Sequence, residues 1–343
     1  MKKINVNNLD FLRFVFAFTV TLAHLIKLSE VKAFQSYVIF FDTRLAINGF
    51  FVISGFLIAK SYENSTNIKA YLIKRIRRIL PAYIFIILLC ALFFCFVSTN
   101  SINQYFLNNQ FWKYLIANLT FQNYIEPCLP GVFQDNLICA VNGSLWTIKL
   151  EEAFYLMLPV LYFITKSKKA RIVILSILVY ILSISYFNYF VSIDMYRIAK
   201  QLPGALAFFM SGIIFYRNFE FLIKWKHYLI VPSLLIFLLE YYIYNTHIFY
   251  PISYSFLVFY LAYNFKFLNN FGKYGDITYG VYIYHFPIIQ VFVYFGFFKI
   301  YDPFFVSIVV LLLVIILAFL SWHFLELQYL SDNRKKRHKK IKF

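Results

Sequence analysis

The chain has 343 residues, of which 62% are hydrophobic and only 14% are charged, and its mean hydropathy is +0.68. A soluble domain of this length needs far more charge on its surface, so soluble globular folds are excluded. The net charge of +18 does not indicate nucleic-acid binding. The basic residues cluster in short segments between apolar runs, which is the pattern of membrane proteins.

Ten apolar runs predict an all-α, polytopic membrane protein with about ten transmembrane helices. Many of the runs approach the roughly 20 residues that a bilayer-spanning helix requires. The first run lacks the small-residue cleavage pattern of a signal peptide and is kept as a span. In chain order the predicted spans are 9–28, 45–60, 79–98, 146–164, 171–190, 200–216, 228–245, 250–264, 277–298 and 304–325.

These spans predict one membrane domain at residues 1–330, followed by a basic cytoplasmic tail at 331–343. The second and eighth spans are short, and the seventh and eighth divide near Thr246. No second soluble domain is expected, because the longest connection between spans covers only residues 99–145.

The distribution of basic residues predicts the orientation of the chain. With the N-terminus in the cytoplasm, 24 of the 33 Lys and Arg residues fall in cytoplasmic segments and 7 in external ones. Cytoplasmic loops carry such an excess, so we expect both termini in the cytoplasm.

The connection at 99–145 then lies outside the cytoplasm and contains Cys128 and Cys139. An oxidising exterior permits a disulfide, but two free thiols are the alternative, since the sequence does not supply the geometry. No Cys and His spacing predicts a metal site.

Two ionisable residues of the first span, Arg13 and His24, are candidate site residues. Such residues are costly within a membrane and suggest function by default. They lie 11 residues apart, which is almost three helical turns, so they share a face at a separation of about 16 Å. Arg13 is expected at the cytoplasmic edge and His24 beyond the midplane. The alternatives are a snorkelling arginine and a hydrogen-bonded packing histidine.

The fourth span opens with Trp146 and continues through Lys149, Glu151 and Glu152. Adjacent carboxylates point to different sides of a helix, so at most one glutamate faces the site of His24. Lys149 is placed to neutralise one of them. Trp146 is either an aromatic-belt anchor at the membrane surface or part of the site.

A basic cluster, Lys74 to Arg78, precedes Pro81 at the predicted cytoplasmic face. Arginine clusters suit phosphates, but a plain positive-inside signal explains this one as well.

Three further residues mark the last two spans. His285 lies about two turns into the ninth span and belongs to either a structural or a catalytic network. Asp276 stands where a helix N-cap is expected. Glu326 ends the last span, where solvation at the interface accounts for it.

Five sequence blocks occur in order from residue 9 to about residue 290. They are Leu9 to Arg13 with His24; FFVISGFLI at 50–58; Arg75 and Arg78 before Pro81; Ser144 to Trp146 with Glu151, Phe154, Tyr155 and Pro159; and Tyr279, Gly280 and Tyr282 to Pro287. They resemble the Arg-x10-His, FFxxSGFLI, RxxR, W-x4-E-x2-FY and YxxYxxHxP motifs of the acyltransferase-3 family of bacterial membrane acyltransferases.

The resemblance implies ten core helices in the bacterial inner membrane, a cytoplasmic acyl-CoA donor and an extracytoplasmic acceptor, often a glycan hydroxyl. It implies a catalytic His24 and an Arg13 associated with the donor. We expect Arg75 and Arg78 at the donor phosphates and Glu151 orienting His24. The chain departs from the family in lacking a proline soon after Glu326. It is expected to stand alone, without an appended esterase-like domain.

The predicted function is transfer of an acyl group to a hydroxyl of an extracytoplasmic or lipid-linked glycan. Acetyl is expected first and succinyl stays open, as does His24 acting as general base or as acyl-carrying nucleophile. Acyl-CoA is a co-substrate and no cofactor is expected to be bound. The partners are the donor, the glycan and the bilayer, without nucleic acid; the sequence does not set the oligomeric state. Further candidates for lining the site are Ser54, Gly55, Trp146, Tyr282 and His285.

Two alternatives remain at this level. Ser54 and Gly55 are also the small residues that helix contacts prefer. Intramembrane Arg, His and Glu residues also serve transporters, so a transporter or flippase of a lipid-linked sugar is the alternative function.

Overall fold

The computed structural model describes residues 7–244, 247–265, 268–269 and 271–330. The predicted basic tail at 331–343 lies outside these residues, as does Thr246, where we divided the seventh and eighth spans. Every regular element in the described ranges is helical, which confirms the all-α prediction.

Sixteen α-helices occur in the described residues. They are α1 (Leu9–Ser29), α2 (Thr43–Glu63), α3 (Ile68–Phe93), α4 (Ile102–Leu107), α5 (Asn109–Leu119), α6 (Trp146–Ile164), α7 (Lys169–Ser192), α8 (Tyr196–Ala199), α9 (Leu202–Arg217), α10 (Phe219–Lys224), α11 (Lys226–Leu238), α12 (Tyr250–Asn264), α13 (Thr278–Tyr294), α14 (Phe297–Ile300), α15 (Pro303–Leu320) and α16 (Leu327–Tyr329). Two stretches of π-helix, Leu239–Tyr244 and Ser321–Glu326, continue α11 and α15. Three 3-10 helices lie at Lys32–Phe40, Phe94–Phe96 and Phe271–Tyr274.

Each predicted span overlaps one long helix of the structure. Among the described residues, seven helical segments are long and apolar enough to cross a membrane, and they contain α1, α2, α3, α7, α9, α11 and α15. Of the other three helices, α12 and α13 have only 15 and 17 residues, and α6 carries three charged side chains. The protein is therefore a multi-helix membrane protein.

The structure differs from the prediction in one helix start and in one connection. Helix α3 begins at Ile68 rather than at residue 79, because the basic cluster before Pro81 is itself helical. The connection at 99–145 contains α4 and α5, which were not predicted. A readable signal was present, since Ser101 and Gln104 form a reciprocal capping box at the start of α4.

The chain divides into two compact units. Unit one comprises Met1–Arg13, Arg44–Ile73 and Leu150–Phe271. In this unit α7 packs on α9, α9 on α12, and α12 on α11. Helices α2 and α9 cross closely at two glycines: a Cβ on Gly55 would lie 2.0 Å from the carbonyl oxygen of Phe209, and one on Gly212 would lie 2.1 Å from that of Val52.

Unit two comprises Phe14–Thr43, Lys74–Lys149 and Gly272–Phe343. Its core includes α13, which packs on α15. Gly280 permits that contact, because a Cβ at this position would lie 2.7 Å from the Cα of Ala318.

The connection after α3 folds back on that helix within unit two. The Tyr83 hydroxyl donates to the carbonyl of Asn118 at 2.8 Å and accepts from the Asn123 amide at 3.0 Å. Cys128 and Cys139 form a disulfide. Of the two alternatives for these cysteines, the structure therefore has the bridge, which closes a loop in the second half of the connection.

Candidate active site

Two histidines of unit two are joined by a direct hydrogen bond. The Nδ1 atom of His24, on α1, lies 2.8 Å from the Nε2 atom of His285, on α13. Their rings are nearly parallel, with centroids 5.1 Å apart. His285 is fully buried, whereas His24 is partly exposed. His24 therefore has a fully buried histidine as its partner and is itself not fully enclosed.

The two histidines were predicted at different depths, one beyond the midplane and one about two turns in. Their contact in the structure corrects that difference. Depths estimated by counting residues along two helices can be compared only when both helices begin at the same height in the bundle. The sequence does not show the height at which each helix begins.

An aromatic ring supports the histidine pair. Phe286 packs edge-on against His24, with ring centroids 5.1 Å apart. Phe286 also meets Gly143, where a Cβ would lie 2.7 Å from the ring. The lack of a side chain at Gly143 lets the connection before α6 approach this ring closely.

The segment at 136–147 is attached to α13 beside the histidine pair. Pro287 has no N–H to donate to the carbonyl of Ile283, one turn earlier, so that group needs another donor. The Asn142 amide supplies it at 2.8 Å. The Ser144 hydroxyl donates to the neighbouring carbonyl of Tyr282 at 3.1 Å. The Asn142 amide thus replaces the helical donor that Pro287 removes from α13.

Tyr282 and Trp146 lie at the same junction. The Tyr282 hydroxyl and the Thr147 hydroxyl are 2.6 Å apart and share a hydrogen bond. The Tyr282 ring lies 5.9 Å from the His285 ring, centroid to centroid. Trp146 begins α6 next to Thr147 and is half-buried. Among the predicted residues, the structure thus brings His24, His285 and Tyr282 together.

A second cluster in unit two surrounds Arg78. Its guanidinium lies 2.6 Å from Asp276 Oδ2 and 2.9 Å from Glu326 Oε2. It also lies over the Trp322 ring, at 5.2 Å from the centroid. The Ser321 hydroxyl donates to the other oxygen of Glu326 at 3.2 Å. Arg78 therefore ties α3 to the segment before α13 and to the π-helical end of α15.

This cluster corrects two expectations. Glu326 is 1% exposed and paired, so solvation at the interface does not account for it. Asp276 does not cap α13, whose N-cap position is Ile277 without a side-chain cap bond. The π-helical stretch at Ser321–Glu326 places Glu326 in this buried position, and the sequence pattern did not show that stretch.

Arg75 lies one turn before Arg78 on α3 and is half-buried. Lys149 does not neutralise a glutamate. It donates to Gln122 at 3.4 Å and lies 4.4 Å from the centroid of the Tyr124 ring.

The remaining predicted residues lie in unit one. Glu151 accepts a hydrogen bond from the Tyr155 hydroxyl, one turn later on α6. Arg13 lies 3.8 Å from Asp10 on α1. Gly55 occupies the close crossing of α2 and α9, which supports the packing explanation for it, and Ser54 precedes it. Roles for these residues in catalysis stay predictions.

In the described part of the chain, no group of three His, Cys, Asp or Glu side chains is arranged to hold a metal ion.

Fold and site together define a class: a polytopic membrane protein with a hydrogen-bonded histidine pair between two of its helices. The chain belongs to the acyltransferase domain family, which it matches over residues 6–323. It is 29% identical to a protein of Shigella phage Sf6 named O-acetyl transferase, over 349 aligned positions that cover 96% of this chain and 98% of the phage protein. No solved structure matches the chain. The protein is a membrane acyltransferase rather than a transporter.

Proposed function

We propose that this protein transfers an acetyl group from cytoplasmic acetyl-CoA to a hydroxyl of an extracytoplasmic or lipid-linked glycan. Membership of the acyltransferase family supports acyl transfer. The name of the phage relative, O-acetyl transferase, supports acetyl as the group and oxygen as its acceptor. The observation that carries a histidine mechanism is the His24–His285 hydrogen bond on two apolar helices.

The proposal includes ten spans with both termini in the cytoplasm of a bacterial inner membrane. The excess of Lys and Arg in the cytoplasmic segments supports that topology. It places the basic end of α3 on the donor side. Direct contact with the donor phosphates is assigned to Arg75, which lies in the basic part of α3. The association of Arg13 with the donor rests on its place in the Arg-x10-His motif. Arg78 already holds two carboxylates, so we assign it to fixing the helix ends there.

His24 acts on the acceptor hydroxyl or carries the acyl group. As general base, it takes the hydroxyl proton while the oxygen forms a bond to the thioester carbon. The C–S bond then breaks, and the proton passes to the thiolate of coenzyme A. As nucleophile, the imidazole first bonds to the acyl carbon and releases the thiolate. The hydroxyl oxygen then bonds to the acyl carbon, the carbon–nitrogen bond breaks, and the hydroxyl proton passes through the freed imidazole to the thiolate. In both routes, one proton leaves the acceptor hydroxyl and one proton reaches the thiolate of coenzyme A.

The test is transfer of radiolabelled acetyl-CoA in membranes that contain the wild type, His24→Ala or His227→Ala at equal protein levels. His227 is the matched control, because it is an exposed histidine on α11 in unit one. We expect label in the glycan fraction with the wild type and His227→Ala, and loss of at least two orders of magnitude with His24→Ala.

Three other outcomes contradict parts of the proposal. Equal label with His24→Ala rules out His24 as the catalytic group. Label from succinyl-CoA but not from acetyl-CoA corrects the acyl group and keeps the mechanism. No label from either donor, in membranes that contain the glycan, rules out acetyl-CoA and succinyl-CoA as the donor.

A further inference from the structure

We infer that His285 is a positioning residue that holds His24 in the tautomer with its proton on Nδ1 and its lone pair on Nε2. The inference rests on the proposed function for the role of His24 and assigns the nitrogen that does the chemistry. It follows from a chain of two hydrogen bonds that starts at a backbone carbonyl.

The first bond sets the tautomer of His285. Its Nδ1 atom lies 3.1 Å from the carbonyl oxygen of Val281, one turn earlier on α13. A carbonyl oxygen can only accept, so Nδ1 of His285 carries the proton. A neutral imidazole has one N–H, which leaves Nε2 of His285 as an acceptor.

The second bond passes this constraint to His24. Nε2 of His285 lies 2.8 Å from Nδ1 of His24, so Nδ1 of His24 is the donor. The proton of a neutral His24 is then on Nδ1, and its lone pair is on Nε2. The reverse assignment would place the lone pair of His285 Nδ1 against the lone pairs of the Val281 carbonyl in a fully buried position, which is unfavourable.

The arrangement resembles the way in which a carboxylate orients a catalytic imidazole, with a neutral histidine in place of the carboxylate. The nitrogen that an orienting carboxylate would contact, Nδ1 of His24, is already bonded to His285. The other nitrogen, Nε2, is therefore the one that attacks the acyl carbon or takes the hydroxyl proton. The orientation of this nitrogen depends on the ring position of His285 and on Phe286, which supports His24 from the side.

Two substitutions of His285 separate positioning from packing. Glutamine can place an acceptor oxygen close to the position of the His285 Nε2 atom, whereas leucine fills similar space without an acceptor. We expect His285→Leu to lower kcat by on the order of 100-fold or more with little change in the KM for acetyl-CoA. His285→Gln should restore at least a tenth of wild-type activity. His227→Leu, with the same chemical change at an exposed site, should leave both constants unchanged.

A spectroscopic readout decides the tautomer without any turnover. Nitrogen-15 solid-state NMR of histidine-labelled protein in lipid distinguishes protonated from unprotonated ring nitrogens, and the signals missing from His24→Ala identify His24. We expect a protonated Nδ1 and an unprotonated Nε2 in the wild type, and a mixture of tautomers in His285→Leu. A protonated Nε2 on neutral His24 in the wild type would overturn the inference.

The outcomes are distinct from those for the proposed function. If the wild type transferred no acyl group, the NMR spectra would still decide the tautomer. The activity of each variant is compared with the amount of folded protein in the membrane. If His285→Leu and His285→Gln lost activity equally, and only as much as they lost folded protein, His285 would be a packing residue and the inference would fail. Full activity of His285→Leu would refute it as well.

Discussion

The amide of Asn142 is predicted to stabilise the proline-containing part of α13. It donates to the buried carbonyl of Ile283 at 2.8 Å, where Pro287 offers no N–H. In Asn142→Ala this carbonyl loses its donor, at a cost of about 1–3 kcal/mol. The single proton of the Ser144 hydroxyl is shared between Asn142 Oδ1, at 2.7 Å, and the carbonyl of Tyr282, at 3.1 Å, so in Asn142→Ala it keeps the second acceptor. The loss in stability should therefore lie within that range.

A double-mutant cycle with Pro287→Ala tests the physical reason. Alanine at 287 restores an N–H that can donate to the Ile283 carbonyl within the helix. Asn142→Ala should then cost at least about 1 kcal/mol less in the Pro287→Ala background than in the wild type. The assay is the thermal denaturation of purified protein in detergent, with the apparent melting temperature of all four variants measured at equal scan rate.

Asn136→Ala is the matched control. The Asn136 amide also donates to α13, at the carbonyl of Gln290, 3.0 Å away. That carbonyl is one turn before Tyr294, which has an N–H of its own, so the cost of Asn136→Ala should not depend on residue 287. If Asn142→Ala cost the same in both backgrounds, the carbonyl beside Pro287 would not be the reason for its effect. Acyl transfer should also fall in Asn142→Ala, because a shift of about 1 Å at a catalytic group can lower a rate about 100-fold.

Two further predictions concern unit two. Glu326→Gln should destabilise the protein by about 1–3 kcal/mol, because it removes the charge of one buried partner of Arg78 while Asp276 stays paired. Asp276→Asn should cost less, because its side chain is 18% exposed against 1% for Glu326. Equal melting temperatures of the two variants would contradict this order. Reduction of the Cys128–Cys139 disulfide, whose cysteines are 11 residues apart in the chain, should lower the free energy of unfolding by about 3 kcal/mol, and unchanged denaturation of the reduced protein, with reduction verified by mass spectrometry, would disprove it.

The all-α class and the location of the long helices could be predicted from the sequence, because the apolar runs are long and the basic residues between them mark their ends. The predicted eighth span and α12 share the bounds 250–264. Boundaries failed where charged residues are helical, as at the start of α3. The helices of the 99–145 connection were missed because they are short and are stabilised by caps and by packing on α3 rather than by a long apolar run.

The candidate site was predictable in its residues but not in its partners. Motif spacing indicated His24 and His285 separately, and the sequence contains no sign that they touch, since they are 261 positions apart. Glu326 was undervalued for a similar reason. A carboxylate at the end of an apolar run suggests contact with water, and only the π-helical turn and the position of Arg78 show that it is buried and paired.

Pro287, two residues after His285, links the fold of this region to the candidate site. Pro287 has no N–H, so the carbonyl of Ile283 lacks its donor within α13. This carbonyl instead accepts a hydrogen bond from the Asn142 amide, in the connection before α6. The Gln290 amide in turn donates to the carbonyls of Ile138 and Ala140, each at 2.8 Å. The position of α13 is thus held by bonds to the 136–147 segment. The His24–His285 hydrogen bond depends on that position, so this segment helps to place the histidine pair although it makes no hydrogen bond to either ring.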